Sequence, residues 1–273
     1  MLITDSFLML NLPKTGSTFA RKVIKKAYGE FEPSLKDKVK WKLGLTEKKV
    51  KELFLENLMV NHRNDKTQHG IYDQIPDEYK NSDYEIVSIM RDPFTAYISR
   101  YNFKFWQKVR HPNTDLGKNK FPHFPDLTLS EYIDFCNMDH SHRLQGVTLN
   151  KGVSLGQLSL QYIQMFSKEH KKVLPMINKT FLNSDEMKDY FPNITFLKTE
   201  NLNNDLFQFL SSKGVSKENL AFLRTERKIN VSTTKKYKDY LTKDIVDKIM
   251  DLEWFLFSLY PEYKPENNKL FQD

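Results

Sequence analysis

The sequence predicts an α/β fold with a central, mainly parallel sheet flanked by helices. Three observations predict it: short apolar runs that stop abruptly in polar turns, helices with a single apolar stripe after those runs, and alternation of the two along the chain. The chain has 273 residues, 39% of them hydrophobic, with no internal repeat, low-complexity segment or linker. That reads as one domain spanning residues 1–273.

Taken in order, Phe7–Asn11 is an apolar run that ends in Leu12-Pro13-Lys14-Thr15-Gly16-Ser17-Thr18, as a buried strand would. A helix follows, with Ala20, Val23, Ile24 and Ala27 at i, i+3, i+4 and i+7 and lysines on the other face. Residues 34–56 are Lys-rich and helical in pattern. Leu58-Met59-Val60 reads as a second strand, leading into a polar loop that carries His62 and His69. The strongest strand signal is Tyr84–Met90. Arg91-Asp92-Pro93 closes it and opens a helix, with Asp92 as N-cap, Pro93 as first helical residue and Phe94, Ile98, Tyr101 and Phe105 as the apolar stripe. Residues 107–128 read as a long loop. Helices are expected at 129–137, 155–168 and 203–213, a strand at 193–197, and one core helix at 243–260.

The net charge of +7, from 42 basic and 35 acidic residues, favours an anionic ligand, although surplus lysine is common on soluble proteins. A single cysteine, Cys136, excludes an intrachain disulfide and sits in an apolar stretch as a core residue. No basic leader precedes an apolar core at the N-terminus, and no stretch approaches the ~20 apolar residues of a membrane span. The chain therefore reads as cytoplasmic. Asn178, Asn193 and Asn230 begin Asn-x-Ser/Thr triplets that carry no weight without secretion.

Two motifs carry chemistry. The Pro13–Thr18 turn puts backbone N–H groups at a helix N-terminus, where the dipole favours an anion. Gly16 permits close approach, Lys14 adds a full positive charge, and Thr15, Ser17 and Thr18 add hydroxyls. This is not a Walker A loop, in which the Lys follows the last Gly. The second motif is Arg91-Asp92-Pro93 with Ser99. An Arg fork at a strand end and a hydroxyl two helical turns on make a phosphate clamp, unless Arg91 only pairs with Asp92. Both motifs belong to the carboxyl edge of the sheet, where open α/β folds bind ligands.

Pro13–Thr18 resembles the 5'-phosphosulfate loop of sulfotransferases that use 3'-phosphoadenosine 5'-phosphosulfate (PAPS). Arg91-Asp92-Pro93-Phe94 with Ser99 and Tyr101 resembles their 3'-phosphate site, in the same order and at a similar separation. Gly156–Gln161, Lys228–Ser232, Tyr237-x-x-Tyr240 and Phe257–Tyr260 are similar to segments of bacterial and carbohydrate sulfotransferases. The resemblance implies a three-layer, P-loop-like domain and transfer without a metal. It implies contacts from Lys14 to the 5'-phosphate and bridging oxygen, from Thr15, Gly16, Ser17 and Thr18 to the 5'-phosphate, and from Arg91 and Ser99 to the 3'-phosphate. Lys228 and Lys235 would close over the nucleotide. A general base is expected, often His in that family. His69 is preferred over His62, because His69-Gly70 followed by Ile75-Pro76 resembles a bacterial pattern. His111, His123, His140 and His142 would line the acceptor site. The acceptor bears a hydroxyl; an anionic glycan and a small metabolite both stay open, and neither nucleic acid nor a membrane span is expected.

Two other readings compete. A metal-dependent phosphotransferase would use Asp92 to hold Mg²⁺. A nucleic-acid-binding protein would use the lysines of 34–51, which otherwise form a solvated helix face.

Overall fold

The computed structural model describes residues 1–56, 66–80, 84–224 and 237–272. The expected second strand at 58–60 lies outside them, as do His62, Lys228, Lys235 and Asn230.

Seven short strands are described: β1 (Leu2–Ile3), β2 (Phe7–Met9), β3 (Lys51–Glu52), β4 (Leu55–Glu56), β5 (Lys66–Thr67), β6 (Glu85–Met90) and β7 (Thr195–Lys198). Five form the main sheet in the order β3-β1-β2-β6-β7, while β4 and β5 pair separately. The sheet is mixed rather than mainly parallel. β2–β6 and β6–β7 are parallel, with Leu8 opposite Ile86 and Ser88 opposite Phe196; β1 is antiparallel to both β2 and β3. The physical reason is the three-residue link between β1 and β2. It is far too short for a crossover, so the chain folds back as a hairpin. Thr4 holds the turn: its hydroxyl accepts from Phe7 N at 3.1 Å.

The longer helices are α1 (Ser17–Ala27), α2 (Leu35–Lys42), α3 (Pro93–Phe103), α4 (Leu129–Cys136), α5 (Gln157–Phe166), α6 (Leu202–Ser212), α7 (Lys243–Leu252) and α8 (Trp254–Leu259). They flank the sheet because its strands are apolar on both faces. Leu8, Leu10, Ile86 and Met90 join one core with α3, α4, α5 and α8. Phe7, Met9, Val87, Ile89 and Leu197 join a second with α1 and α6. The period of two along β2 and β6 sorts successive side chains to opposite sides. Each such side chain, fully buried, stabilises the fold by about 2 kcal/mol. Ser88 is the one buried polar residue of β6, and its hydroxyl donates to Leu10 O at 2.9 Å.

Several boundaries differ from expectation. The Lys-rich segment is helical only at α2, which is solvent-exposed along most of its length. The stripe starting at Phe94 ends at Phe103, where Lys104 turns left-handed at φ 51° and sends Phe105 into a separate turn. The expected loop 107–128 holds a helix at Thr114–Lys120. The expected helix 243–260 breaks at Glu253, where Leu252 O accepts from Gly156 N instead of continuing the helix. Among the described residues, no helix is long and apolar enough to cross a membrane.

Candidate active site

The three parallel strands end side by side, and the chain leaves each into a functional-looking turn. After β2 the backbone turns twice through the left-handed region, at Lys14 (φ 67°) and Gly16 (φ 90°). Gly16 is required there: a Cβ would lie 2.8 Å from Leu202 Cδ2, besides the unfavourable φ. Lys14 holds the same kind of conformation without being glycine, which stores backbone strain in the turn. The Thr15 hydroxyl donates to Leu12 O at 2.8 Å, so this side chain braces the turn. Gly16 is the N-cap of α1, and no side chain caps the amides of that first turn. Ser17 is buried and Thr18 exposed. The helix therefore offers uncapped N–H groups and its positive dipole end at the sheet edge.

Arg91 stands at the end of β6, and its guanidinium binds the first turn directly. Nη1 donates to Lys14 O at 3.0 Å, Nε to Thr95 Oγ1 at 3.1 Å and Nη2 to Tyr237 Oη at 3.1 Å. It does not pair with Asp92. That carboxylate is buried, accepts from Phe94 N and Thr95 N as the N-cap of α3, and also accepts from Asn268 Nδ2. Burial raises the Asp92 carboxyl to about 6, with Glu200 nearby pushing the same way and its hydrogen bonds opposing. Ser99 is half-buried, one turn beyond Thr95 on the same face of α3. The third strand supplies Thr199, whose hydroxyl lies 2.7 Å from Thr15 O and 2.8 Å from Met90 O. One side chain thus ties the turn after β2 to the end of β6.

Lys14 opens onto a cavity of about 320 Å³. Its Nζ sits 3.6 Å from the centroid of Phe103. Burial lowers the Lys14 pKa, and the neighbouring cations Arg91, Arg100 and Lys108 lower it further. His69 lines the same cavity. It follows β5, with its N–H on Thr67 Oγ1 at 3.2 Å, and Gly70 beside it leaves room for Leu55, whose Cδ1 would lie 2.4 Å from a Cβ. Nδ1 of His69 is 2.7 Å from Asn11 O. A carbonyl only accepts, so Nδ1 is the donor in that contact, and in the neutral tautomer it selects the other ring nitrogen is the basic one.

Of the four histidines expected at the acceptor site, His111 and His142 line the cavity. His123 instead forms a pair with Glu131 at 3.1 Å. His140 is not on the lining; it precedes the turn Ser141–Leu144, and burial lowers its pKa to about 4. Cys136 lies on the wall, and burial raises its thiol to about 11, which leaves it protonated and unreactive. Sequence reasoning missed Arg100, Arg143, Trp106 and Tyr132, all on the lining. One signal was present: Gln157, Gln161 and Gln164 form a polar line on the otherwise apolar α5, and a buried amide row implies polar partners. Arg100 donates to Gln161 Oε1 and Arg143 to Gln164 Oε1.

Among the described residues, no group of three or more His, Cys, Asp or Glu side chains could hold a metal ion. Residues 2–252 match the model of a sulfotransferase family. No curated protein matches the chain.

Proposed function

The chain belongs to the sulfotransferase family, and from that premise we propose that it transfers a sulfuryl group from PAPS to an acceptor hydroxyl. The reading rests on the 3.0 Å hydrogen bond from Arg91 Nη1 to Lys14 O. That bond makes the two anion-binding motifs parts of one surface, as a ligand phosphorylated at both its 5' and 3' ends requires. The finer architectural reading, a P-loop-like three-layer domain, is supported by the strand–turn–helix order of β2 and α1 and by helices packed on both faces of the sheet.

In this mechanism the uncapped amides of α1, with Gly16, Ser17 and Thr18, hold the 5'-phosphate. Arg91 and Ser99 hold the 3'-phosphate. Three of the five guanidinium N–H donors of Arg91 are engaged by Lys14, Thr95 and Tyr237, which orients the fork and leaves two donors for phosphate oxygens. Nε2 of His69 takes the acceptor proton as the acceptor oxygen forms its bond to sulfur. The bond from sulfur to the 5'-phosphate oxygen breaks, and the electron pair leaves with 3'-phosphoadenosine 5'-phosphate. Lys14 stabilises the charge that builds on that oxygen, a task suited to a preorganised cation in a water-poor cleft. Lys228, Lys235 and His62, outside the described residues, keep the roles the family resemblance implies.

The phosphotransferase alternative needs a carboxylate for Mg²⁺. Asp92 is spent on capping α3 and on Asn268, which argues against it. The decisive measurement is a thermal-shift titration with 3'-phosphoadenosine 5'-phosphate against AMP and ATP–Mg²⁺. The bisphosphate is expected to raise Tm most, and Lys14→Ala and Arg91→Ala to blunt the rise. Stabilisation by ATP–Mg²⁺ without stabilisation by the bisphosphate would overturn the reading.

A further inference from the structure

The cavity beside Lys14 and His69 contains a charge that handling PAPS does not require. Arg143, on the helical turn Ser141–Leu144, is only 8% exposed and lines the cavity wall. Among the described residues its hydrogen bond is to the neutral amide oxygen of Gln164, at 3.4 Å from Nη1. Arg100 is held in the same way by Gln161 Oε1 at 2.5 Å, and its Nε is buried without a partner. Among the described residues neither guanidinium forms an ion pair with a carboxylate. Glu253 is close enough to attract Arg143 electrostatically, but its oxygens are occupied by Tyr97, Leu158 and Ser159. Burial opposes the Arg143 charge, and the neighbouring Arg100 guanidinium repels it further. A buried, unpaired charge beside a like-charged neighbour destabilises a protein unless something anionic joins them.

The rest of the cavity is consistent with that. Among the described residues no Asp or Glu lines it. Burial lowers both His111 and His142 to about 4, so their rings are neutral at pH 7 and the positive charge at that end belongs to arginine. Phe103, Trp106 and Tyr132 form the walls, with Trp106 and Tyr132 at 4.5 Å between centroids.

We propose that the acceptor is a hydroxylated carboxylic acid with a flat apolar face, its carboxylate seated on Arg143 and Arg100 and its hydroxyl at the Lys14–His69 end. This rests on the sulfotransfer reading above. The planar guanidinium fork matches a carboxylate in two-point contact. The amides of Gln161 and Gln164 on α5 then have a purpose: they orient two guanidiniums without neutralising them. The flat face can be an aromatic ring or the C–H face of a sugar, since both stack on the aromatic walls.

The test is calorimetric titration of two matched pairs into the full chain, with and without 3'-phosphoadenosine 5'-phosphate. One pair is 3-(4-hydroxyphenyl)propionate and its amide; the other is methyl glucuronide and methyl glucoside. At least one acid is expected to bind about tenfold or more tighter than its neutral partner, and the pair that shows this identifies the body. Arg143→Met should abolish the preference while raising the Tm of the ligand-free protein, because it removes a buried unpaired charge. A purely structural arginine would give the opposite Tm change. Arg143→Lys, which keeps the charge and loses the fork, should retain part of the preference. The proposal is overturned if neither acid outbinds its neutral partner, or if the preference survives both Arg143 variants. Failure of the bisphosphate to bind, with acid selectivity intact, would instead count against PAPS as donor.

Discussion

A Cβ on Gly156 would lie 2.2 Å from Oε1 of Glu253. The buried carboxylate fills the space that any other residue at 156 would need, and it does so to cap α5. Its oxygens accept from Leu158 N at 3.1 Å, Ser159 N at 2.8 Å, Ser159 Oγ at 2.7 Å and Tyr97 Oη at 2.6 Å. Burial pushes this carboxyl above the usual range, and those donors pull it back. Gly156→Ala must displace the carboxylate, at a cost of about 1–3 kcal/mol from overpacking. Glu253→Gln turns an NH₂ group toward donors and should cost about the same. Urea unfolding of the two single variants and the double variant checks both. The double variant is expected to lose less than the sum, because both changes disturb one contact.

Thr199 joins two loops that the Arg91 guanidinium also links. Replacing its hydroxyl in Thr199→Val removes the donor shared by Thr15 O and Met90 O. The expected loss is about 1–2 kcal/mol of stability. A weaker thermal shift with 3'-phosphoadenosine 5'-phosphate should accompany it, because the turn after β2 loses its anchor. Unchanged nucleotide binding at reduced stability would show that Arg91 alone positions the turn.

Part of the candidate site was legible because its pattern is local. Lys14, Gly16 and Arg91 follow strand ends and Ser99 lies on the helix after one, so the strand–turn–helix pattern groups them without any tertiary information. Asp92 and Pro93 were readable as a helix start for the same reason, and the structure keeps them so. The mixed sheet was harder to see, since β1 is two residues long and gives no periodicity. The break at Glu253 was invisible in sequence because the pattern around it is helical on both sides; only the distant α5 N-terminus explains it. Arg100 and Arg143 were missed for a similar reason. An arginine on a helix reads as a solvated face, and its burial depends on which cavity the fold builds beneath it.

Asp92 gives the fold a pH dependence of known sign. Its folded pKa, about 6, lies above the ordinary 3.8. Between those values the folded state binds the proton that the unfolded state releases. Stability from this group is therefore present below about pH 4, falls as pH rises through that window, and is lost above about pH 6. A shift near two units corresponds to about 3 kcal/mol at most. Asp92→Asn retains a good N-cap residue and should flatten the fall. Chemical denaturation between pH 4 and pH 7 checks it; an unchanged slope in the variant would assign the dependence elsewhere.

Lys14 and His69 can be separated by what each variant spares. Lys14→Gly removes the cation but relieves the left-handed backbone at φ 67°. The relief and the added freedom of the unfolded chain offset each other, so stability should stay within about 1 kcal/mol. Sulfuryl transfer should fall about 10²–10³-fold, the scale of losing one preorganised electrostatic group, and nucleotide binding should weaken with it. His69→Gln should also lower kcat, by about 10²–10⁴-fold as expected for loss of a general base, but it should leave the thermal shift with 3'-phosphoadenosine 5'-phosphate unchanged. The difference follows from position: in the proposed mechanism Lys14 belongs to the turn that receives the nucleotide, whereas His69 is anchored through Nδ1 to Asn11 O and acts on the acceptor. If His69→Gln weakens nucleotide binding as much as Lys14→Gly does, its assignment as base gives way to one as a donor-site residue.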